Sequence, residues 1–191
     1  KLNMHEIALG VTNVNPHYGA CHNPWALERV TGGSSGGSAA ALAAGLCPGA
    51  LGTDTGGSIR IPASLCGVVG LKPTRVRVSL RGVIPLSWNS DHAGPMARRV
   101  ADVALLLQVI AGYDPQDAYS LDVPVVDYQD QLSEGVRGWR VALSDDDFFN
   151  KADAGVLDCV RRAGQVFEAL GATVAAVAVP GAYPAAQAHG M

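Results

Sequence analysis

Two glycine-serine runs carry the residues best suited to chemistry. They are Gly32-Gly33-Ser34-Ser35-Gly36-Gly37 and Gly52-Thr53-Asp54-Thr55-Gly56-Gly57-Ser58-Ile59-Arg60. Glycines permit positive φ and let a substrate or another backbone come close. Successive N–H groups in such a turn can converge on one point, forming an anion-binding nest. Beside a serine, those donors suit an oxyanion hole. The second run therefore predicts Ser58 as a nucleophile, with N–H groups from about Thr55 to Ser58 facing the developing charge. A lone serine is a poor nucleophile and needs a base within ~2.6–3.2 Å. The histidines (His5, His17, His22, His92 and His189) are isolated. Asp91-His92 is an acid–histidine pair in sequence, but triads are built from spatial rather than sequential neighbours. The first run is not a P-loop, since no Gly-Lys-Ser/Thr follows its glycines. Nor does a flexible linker run straight into an Ala-rich helix and a buried strand. A glycine-flanked serine pair in a constrained loop can instead set a hydroxyl beside Ser58.

The elements that must position these runs follow from periodicity and punctuation. Residues 1–9 read as helix and 10–37 as loop. Residues 38–46 are helical by propensity, and 50–53 form a short apolar strand. Residues 58–65 read as a short helix with Pro62 near its first turn. Residues 68–71 form a strand closed by Lys72-Pro73. Val100, Val103, Ala104, Leu107 and Ile110 recur at helical spacing, and Gly112 stops that helix. A strand over 139–143, an amphipathic helix over 152–170 ended by Gly171, and a buried-type strand over 173–179 complete the series. This alternation predicts an α/β fold, a mixed β-sheet core flanked by helices. No internal repeat and no domain-separating linker is visible, so a single domain over 1–191 is expected.

Composition narrows the function classes. The chain has 191 residues, 48% hydrophobic and 16% charged, which reads as globular. Its net charge of −3 gives no electrostatic case for direct nucleic-acid binding. The apolar stretch 39–46 is too short and too Gly-interrupted to span a bilayer, and no secretory leader pattern opens the chain. Cys21, Cys47, Cys66 and Cys159 form no CxxC. They predict buried, inert thiols in a reducing, cytoplasmic compartment, with Cys47 and Cys66 in the core. Trp25, Trp88 and Trp139 are expected in the core or a pocket wall. Asp145-Asp146-Asp147 reads as a solvated turn rather than a metal site. Arg98-Arg99 and Arg161-Arg162 read as solvated helix faces. No cofactor and no metal is implied. The chain opens on Lys1 in what reads as the middle of an element, so a piece of a longer protein is expected.

GGSSGGSAAALAAG followed by LGTDTGGSIRIPASLCGVVGLKPT resembles the amidase signature family, and NMHEIALG, NVNPHYGACHNPW and DHAGPMARRVADVALLLQVIAGYD agree with it. The resemblance is clearest over residues 1–114. It implies the family's Ser–cis-Ser–Lys triad and hydrolysis of a small-molecule amide through an acyl-enzyme. The nucleophile falls on Ser58, and the bridging serine, preceded by a cis peptide bond, on Ser34. The oxyanion hole falls on Thr55, Gly56, Gly57 and Ser58, with Asp54, Arg60 and Ser35 in support. Met4 and His5 fall where the family lines its substrate cleft. The family's lysine lies upstream of the Ser-Ser run, and Lys1, Lys72 and Lys151 match other positions. The resemblance thus implies an incomplete part of the fold, lacking the N-terminal part with the base and the C-terminal part, and inactive alone. Ile61-Pro62 and Trp88-Asn89-Ser90-Asp91-His92 favour a free-standing amidase. The alternatives are the A subunit of a glutamyl-tRNA(Gln)-type amidotransferase, which works with partner chains, or a non-catalytic remnant. The specific substrate and the oligomeric state, a homo-oligomer included, stay open.

Overall fold

In a computed structural model, residues 1–182, 184 and 185 are described, so His189 lies outside the described residues. The chain divides into two compact units, Lys1–Asp130 and Gln131–Met191, at a boundary the sequence marks with no linker.

The first unit opens with two small antiparallel ribbons. β1 (Val14–Asn15) pairs with β2 (Gly19–Ala20), and β3 (His22–Asn23) with β4 (Ala26–Val30). Next come α1 (Gly36–Ala43), β5 (Gly49–Thr53), α2 (Arg60–Cys66), β6 (Val69–Gly70), β7 (Ala93–Ala97) and α3 (Val100–Ile110). The central sheet has the order β5-β7-β6, antiparallel throughout. α1 contributes Ala39 and Leu42 to the core, α2 contributes Ala63 and Cys66, and Ile59 and Met96 complete it. Burying a side chain the size of Leu42, Ile59 or Met96 stabilises the fold by roughly 1.5–3 kcal/mol each.

The helix expected over residues 1–9 is reduced to a 3₁₀ turn at Glu6–Ala8, with Ile7 and Ala8 at positive φ. The backbone there is committed elsewhere. Asn3 O accepts Gly37 N–H at 2.9 Å, and His5 N–H donates to Ser34 O at 3.0 Å. α1 starts two residues before the expected Ser38. Its glycines are forced by close approach: a Cβ on Gly37 would lie 2.2 Å from Asn3 O, and one on Gly36 2.4 Å from Thr31 Oγ1. α2 starts after Ser58. Pro62 is its third residue, where no N–H partner within the helix is needed. α3 matches its expected span.

β7 has no local signature in the sequence, because Gly94-Pro95 reads as a break. Asp54 and His92 exchange both backbone hydrogen bonds. By the alternation of an antiparallel ladder, Leu51↔Pro95 is then a non-bonded pair. The missing N–H of Pro95 costs β5 nothing, and its carbonyl accepts Leu71 N–H at 3.1 Å.

The second unit is a β–α–β unit. β8 (Arg140–Ser144) and β9 (Thr173–Val177) pair in parallel, and α4 (Ala154–Ala169) connects them. Asp153 caps α4 by accepting Gly155 N–H at 2.9 Å. Within the expected acidic turn, Asp146 accepts the N–H groups of Phe148 and Val179 and the Ser144 hydroxyl.

Several surface expectations need correction. Trp25 and Trp139 are exposed rather than core, and the Trp25 indole N–H is satisfied by Cys66 O at 2.8 Å. Arg98 precedes α3 and donates to Leu42 O and Cys47 O, so it ties elements together instead of decorating a helix face. Cys159 is exposed on α4, and Cys21 and Cys47 are half-buried. Only Cys66 is fully buried; burial first, and Cys21 second, push its thiol up to about 11. Iodoacetamide at neutral pH is therefore expected to modify Cys159 first and to leave Cys66 untouched in the native chain, because the thiolate is the reactive form. Peptide mass mapping showing Cys66 modified before Cys159 would contradict this.

Candidate active site

The Asp54–Arg60 turn joins β5 to α2 and is organised by one carboxylate. Asp54 is 0% exposed. Its Oδ1 accepts Gly57 N–H at 2.8 Å and Arg60 Nη2 at 2.9 Å. Its Oδ2 accepts Ile59 N–H at 3.1 Å, Arg60 N–H at 3.3 Å and Arg60 Nε at 3.0 Å. Burial pushes the carboxyl up, but the Arg60 and Ile59 hydrogen bonds and the Arg60 charge outweigh it, holding Asp54 below its ordinary 3.8. The partnership raises Arg60 above its ordinary value. Asp54 and Arg60, the supporting residues that the resemblance implies, form an ion pair that organises the turn.

The commitment of Gly57 N–H to Asp54 departs from its expected place among the oxyanion donors. Among the described residues, no acceptor is found for the N–H groups of Thr55, Gly56 and Ser58. Two of these donors lie just before the buried Ser58 in the turn, and the third is its own N–H. Thr55 Oγ1 donates to Asp91 Oδ1 at 2.5 Å.

The two glycine-serine runs are knitted together. Ser35 N–H donates to Ser58 O at 3.1 Å. The Ser35 hydroxyl donates to Thr53 O and accepts Thr53 N–H. The Gly33–Ser34 peptide bond is cis. Ser34 is 0% exposed, and its hydroxyl has no hydrogen-bond partner among the described residues, Ser58 included. Asp91 and His92 diverge: the His92 ring meets Ser90 O, Asp54 O and Lys72 Nζ. Neither residue pairs with Ser58. Lys72 Nζ is committed to His92 Nε2 and Pro73 O.

His5 Nδ1 accepts Asn13 N–H, and the ring crowds Gly10, where a Cβ would lie 2.3 Å away. His5 thus fixes the loop beside Ser34. Met4 lines an apolar cavity of about 690 Å³ together with Ser35, Ser38, Leu51 and Val83. A shallower recess of about 370 Å³ opens over Gly56, Gly57 and Arg60.

A family profile described as Amidase matches residues 1–188. The chain belongs to the amidase family. Among curated proteins, this amidase-family chain is 52% identical over 180 residues to the A subunit of glutamyl-tRNA(Gln) amidotransferase from Anaeromyxobacter dehalogenans (strain 2CP-C). That match covers 94% of the chain and 37% of the relative, so the chain spans well under half of that protein's length. Among solved structures, the A subunit of glutamyl-tRNA(Gln) amidotransferase from Thermotoga maritima superposes with a TM-score of 0.89 at 43% identity, over 93% of this chain and 39% of that one. The peptide amidase from Stenotrophomonas maltophilia gives 0.89 at 39% identity, over 97% of this chain and 40% of that one. The amidase-family chain therefore shares its backbone both with a peptide amidase and with a component of an amidotransferase.

Proposed function

We propose that this chain carries the nucleophile and the proton-relaying serine of an enzyme that breaks amide C–N bonds. Ser58 attacks the carbonyl carbon and passes its proton to Ser34, whose own proton goes to a base supplied from outside these 191 residues. The resemblance assigns that role to a neutral lysine. The N–H groups of Thr55, Gly56 and Ser58 face the oxyanion of the tetrahedral adduct. Its collapse breaks the C–N bond, Ser34 protonates the leaving amine, and water releases the acyl group from Ser58 as a carboxylic acid. The observation that carries this reading is the Ser34 hydroxyl: fully buried, unpartnered among the described residues, and on a loop bonded to the backbone of Ser58. A buried polar group without a partner calls for an explanation, and a proton relay supplies one here. The 191 residues alone are expected to turn over amides slowly or not at all.

The test is covalent. In the full-length protein, a fluorophosphonate is expected to add one adduct to the Ser58 peptide, and Ser58→Ala to abolish both adduct and amide turnover. Undiminished turnover in Ser58→Ala would refute the proposal. Identity to amidotransferase A subunits supports a second reading, release of ammonia from glutamine within a multi-chain assembly. Ammonia release dependent on a co-purifying partner would favour it, and turnover of simple amides by the isolated protein would favour the free-standing enzyme.

A further inference from the structure

Asp91 is buried and lies 36 residues from the turn it touches. Its two oxygens face different structures. Oδ1 accepts the Thr55 hydroxyl at 2.5 Å. Oδ2 accepts Leu86 N–H at 2.8 Å and Ser87 N–H at 2.9 Å. Its own N–H donates to Ser87 O at 3.0 Å. The carboxylate is a two-sided clamp, with the segment 85–88 on one side and the donor-bearing turn on the other.

Asp54 holds the far end of that turn through Gly57 N–H. The uncommitted N–H groups of Thr55 and Gly56 therefore lie between two anchors, Asp91 at the first residue and Asp54 at the last. Segment 85–88 in turn walls a recess of about 280 Å³, to which Trp88 and Tyr119 contribute aromatic faces. Arg75 braces that wall, donating to Trp88 O at 2.9 Å while its guanidinium lies 5.5 Å from the Tyr119 ring centre. Contact made in the recess thus has a path of two hydrogen bonds to the donors beside Ser58.

We infer that Asp91 is a positioning residue for the reaction at Ser58: through Thr55 it sets the direction of the Thr55 and Gly56 N–H groups and couples them to the wall formed by residues 85–88. This rests on the amide hydrolysis proposed above. Thr55 contributes through its hydroxyl as well as its backbone, so serine can replace it and valine cannot. A misplacement of about 1 Å in such donors lowers turnover up to roughly 100-fold.

The experiment uses the full-length protein with a simple amide substrate. Asp91→Asn and Thr55→Val are each expected to lower kcat by about 10–100-fold with KM within about twofold, the loss typical of misaligned transition-state donors. Thr55→Ser is expected to stay within about threefold of the parent. The double variant Asp91→Asn/Thr55→Val should be no worse than the poorer single, since both remove the same link. If Asp91→Asn fails to fold, Thr55→Val against Thr55→Ser decides, because Thr55→Val leaves the bonds of Asp91 to Leu86 and Ser87 intact. Additive losses, a change in KM alone, or an unaltered kcat in Thr55→Val would overturn the inference while leaving the role of Ser58 standing. Turnover that survives Ser58→Ala would overturn the proposed function, and this inference with it.

Discussion

Ser34→Ala is expected to leave the full-length protein as stable as the parent, or slightly more so, while lowering amide turnover by about 10²–10⁴-fold, the range for losing a general acid–base partner. The stability half follows from the unpartnered hydroxyl. A buried polar group without a partner costs on the order of 1–3 kcal/mol, and alanine removes it with almost no change in shape. The bond from His5 N–H to Ser34 O uses the backbone and survives the substitution. Ser35→Ala is the internal contrast: it deletes a hydroxyl that both donates to and accepts from Thr53, so it should destabilise by about 1 kcal/mol or more. The activity half follows from the relay. With Ser34 gone, the Ser58 proton has no route to a base and the leaving amine has no donor. Denaturant midpoints and kcat on the same two variants separate the halves. Turnover retained in Ser34→Ala would remove the relay, and a stability loss above about 1 kcal/mol would show that the hydroxyl has a partner after all. Because residues acting as a unit are non-additive, Ser34→Ala/Ser58→Ala should be no worse than Ser58→Ala alone.

Elements governed by local rules were legible in the sequence. α3 and α4 show in the spacing of their apolar positions, and β8 and β9 in short apolar runs flanking a helix. The glycines beside Ser34 and Ser58 announce unusual backbone, and the cis Gly33–Ser34 bond and the positive φ of Gly57 are that backbone, whereas the singling out of Ser34, Asp54 and Arg60 came from the family resemblance. What escaped was non-local. The strand at Ala93–Ala97 hides behind Gly94-Pro95, whose tolerance depends on which ladder positions carry bonds. The N-terminal segment reads as helix by composition, yet it is drawn out by hydrogen bonds to a loop some thirty residues away. The engagement of Gly57 N–H by Asp54 separates two donor sets that the motif alone presents as one. Asp91 was visible as a neighbour of His92 and as part of the Trp88–His92 segment, but its link to Thr55 was not, since Thr55 stands 36 residues earlier and no periodicity joins them.

Asp54→Asn is expected to destabilise the fold by roughly 2–5 kcal/mol, from one or two turn N–H groups each left without an acceptor at about 1–3 kcal/mol. The substitution is isosteric and still not conservative. Both oxygens of Asp54 face only donors: Gly57 N–H and Arg60 Nη2 at one, and Ile59 N–H, Arg60 N–H and Arg60 Nε at the other. Whichever way the amide turns, its NH₂ points at N–H groups, and one set loses its acceptor. Arg60 keeps water contact, with 53% of its side chain exposed, so the larger loss is the backbone of the turn rather than the ion pair. Against a typical total stability of about 5–15 kcal/mol, that loss is decisive. The pH dependence follows from the sign of the shift. A carboxyl held below its ordinary 3.8 contributes stability that is complete above that value and is lost as pH falls through its folded-state pKa. Asp114, Asp117 and Asp146 are held down in the same direction by backbone and hydroxyl donors, so they steepen the same acid limb. Chemical denaturation between pH 7 and pH 2 should therefore show the parent losing stability below about pH 4 and Asp54→Asn following a shallower curve. Parallel curves would mean that Asp54 does not carry its charge into the folded state. The turn would then be held by neutral hydrogen bonds, and the Thr55 and Gly56 donors would lose the fixed carboxylate that anchors them beside Ser58.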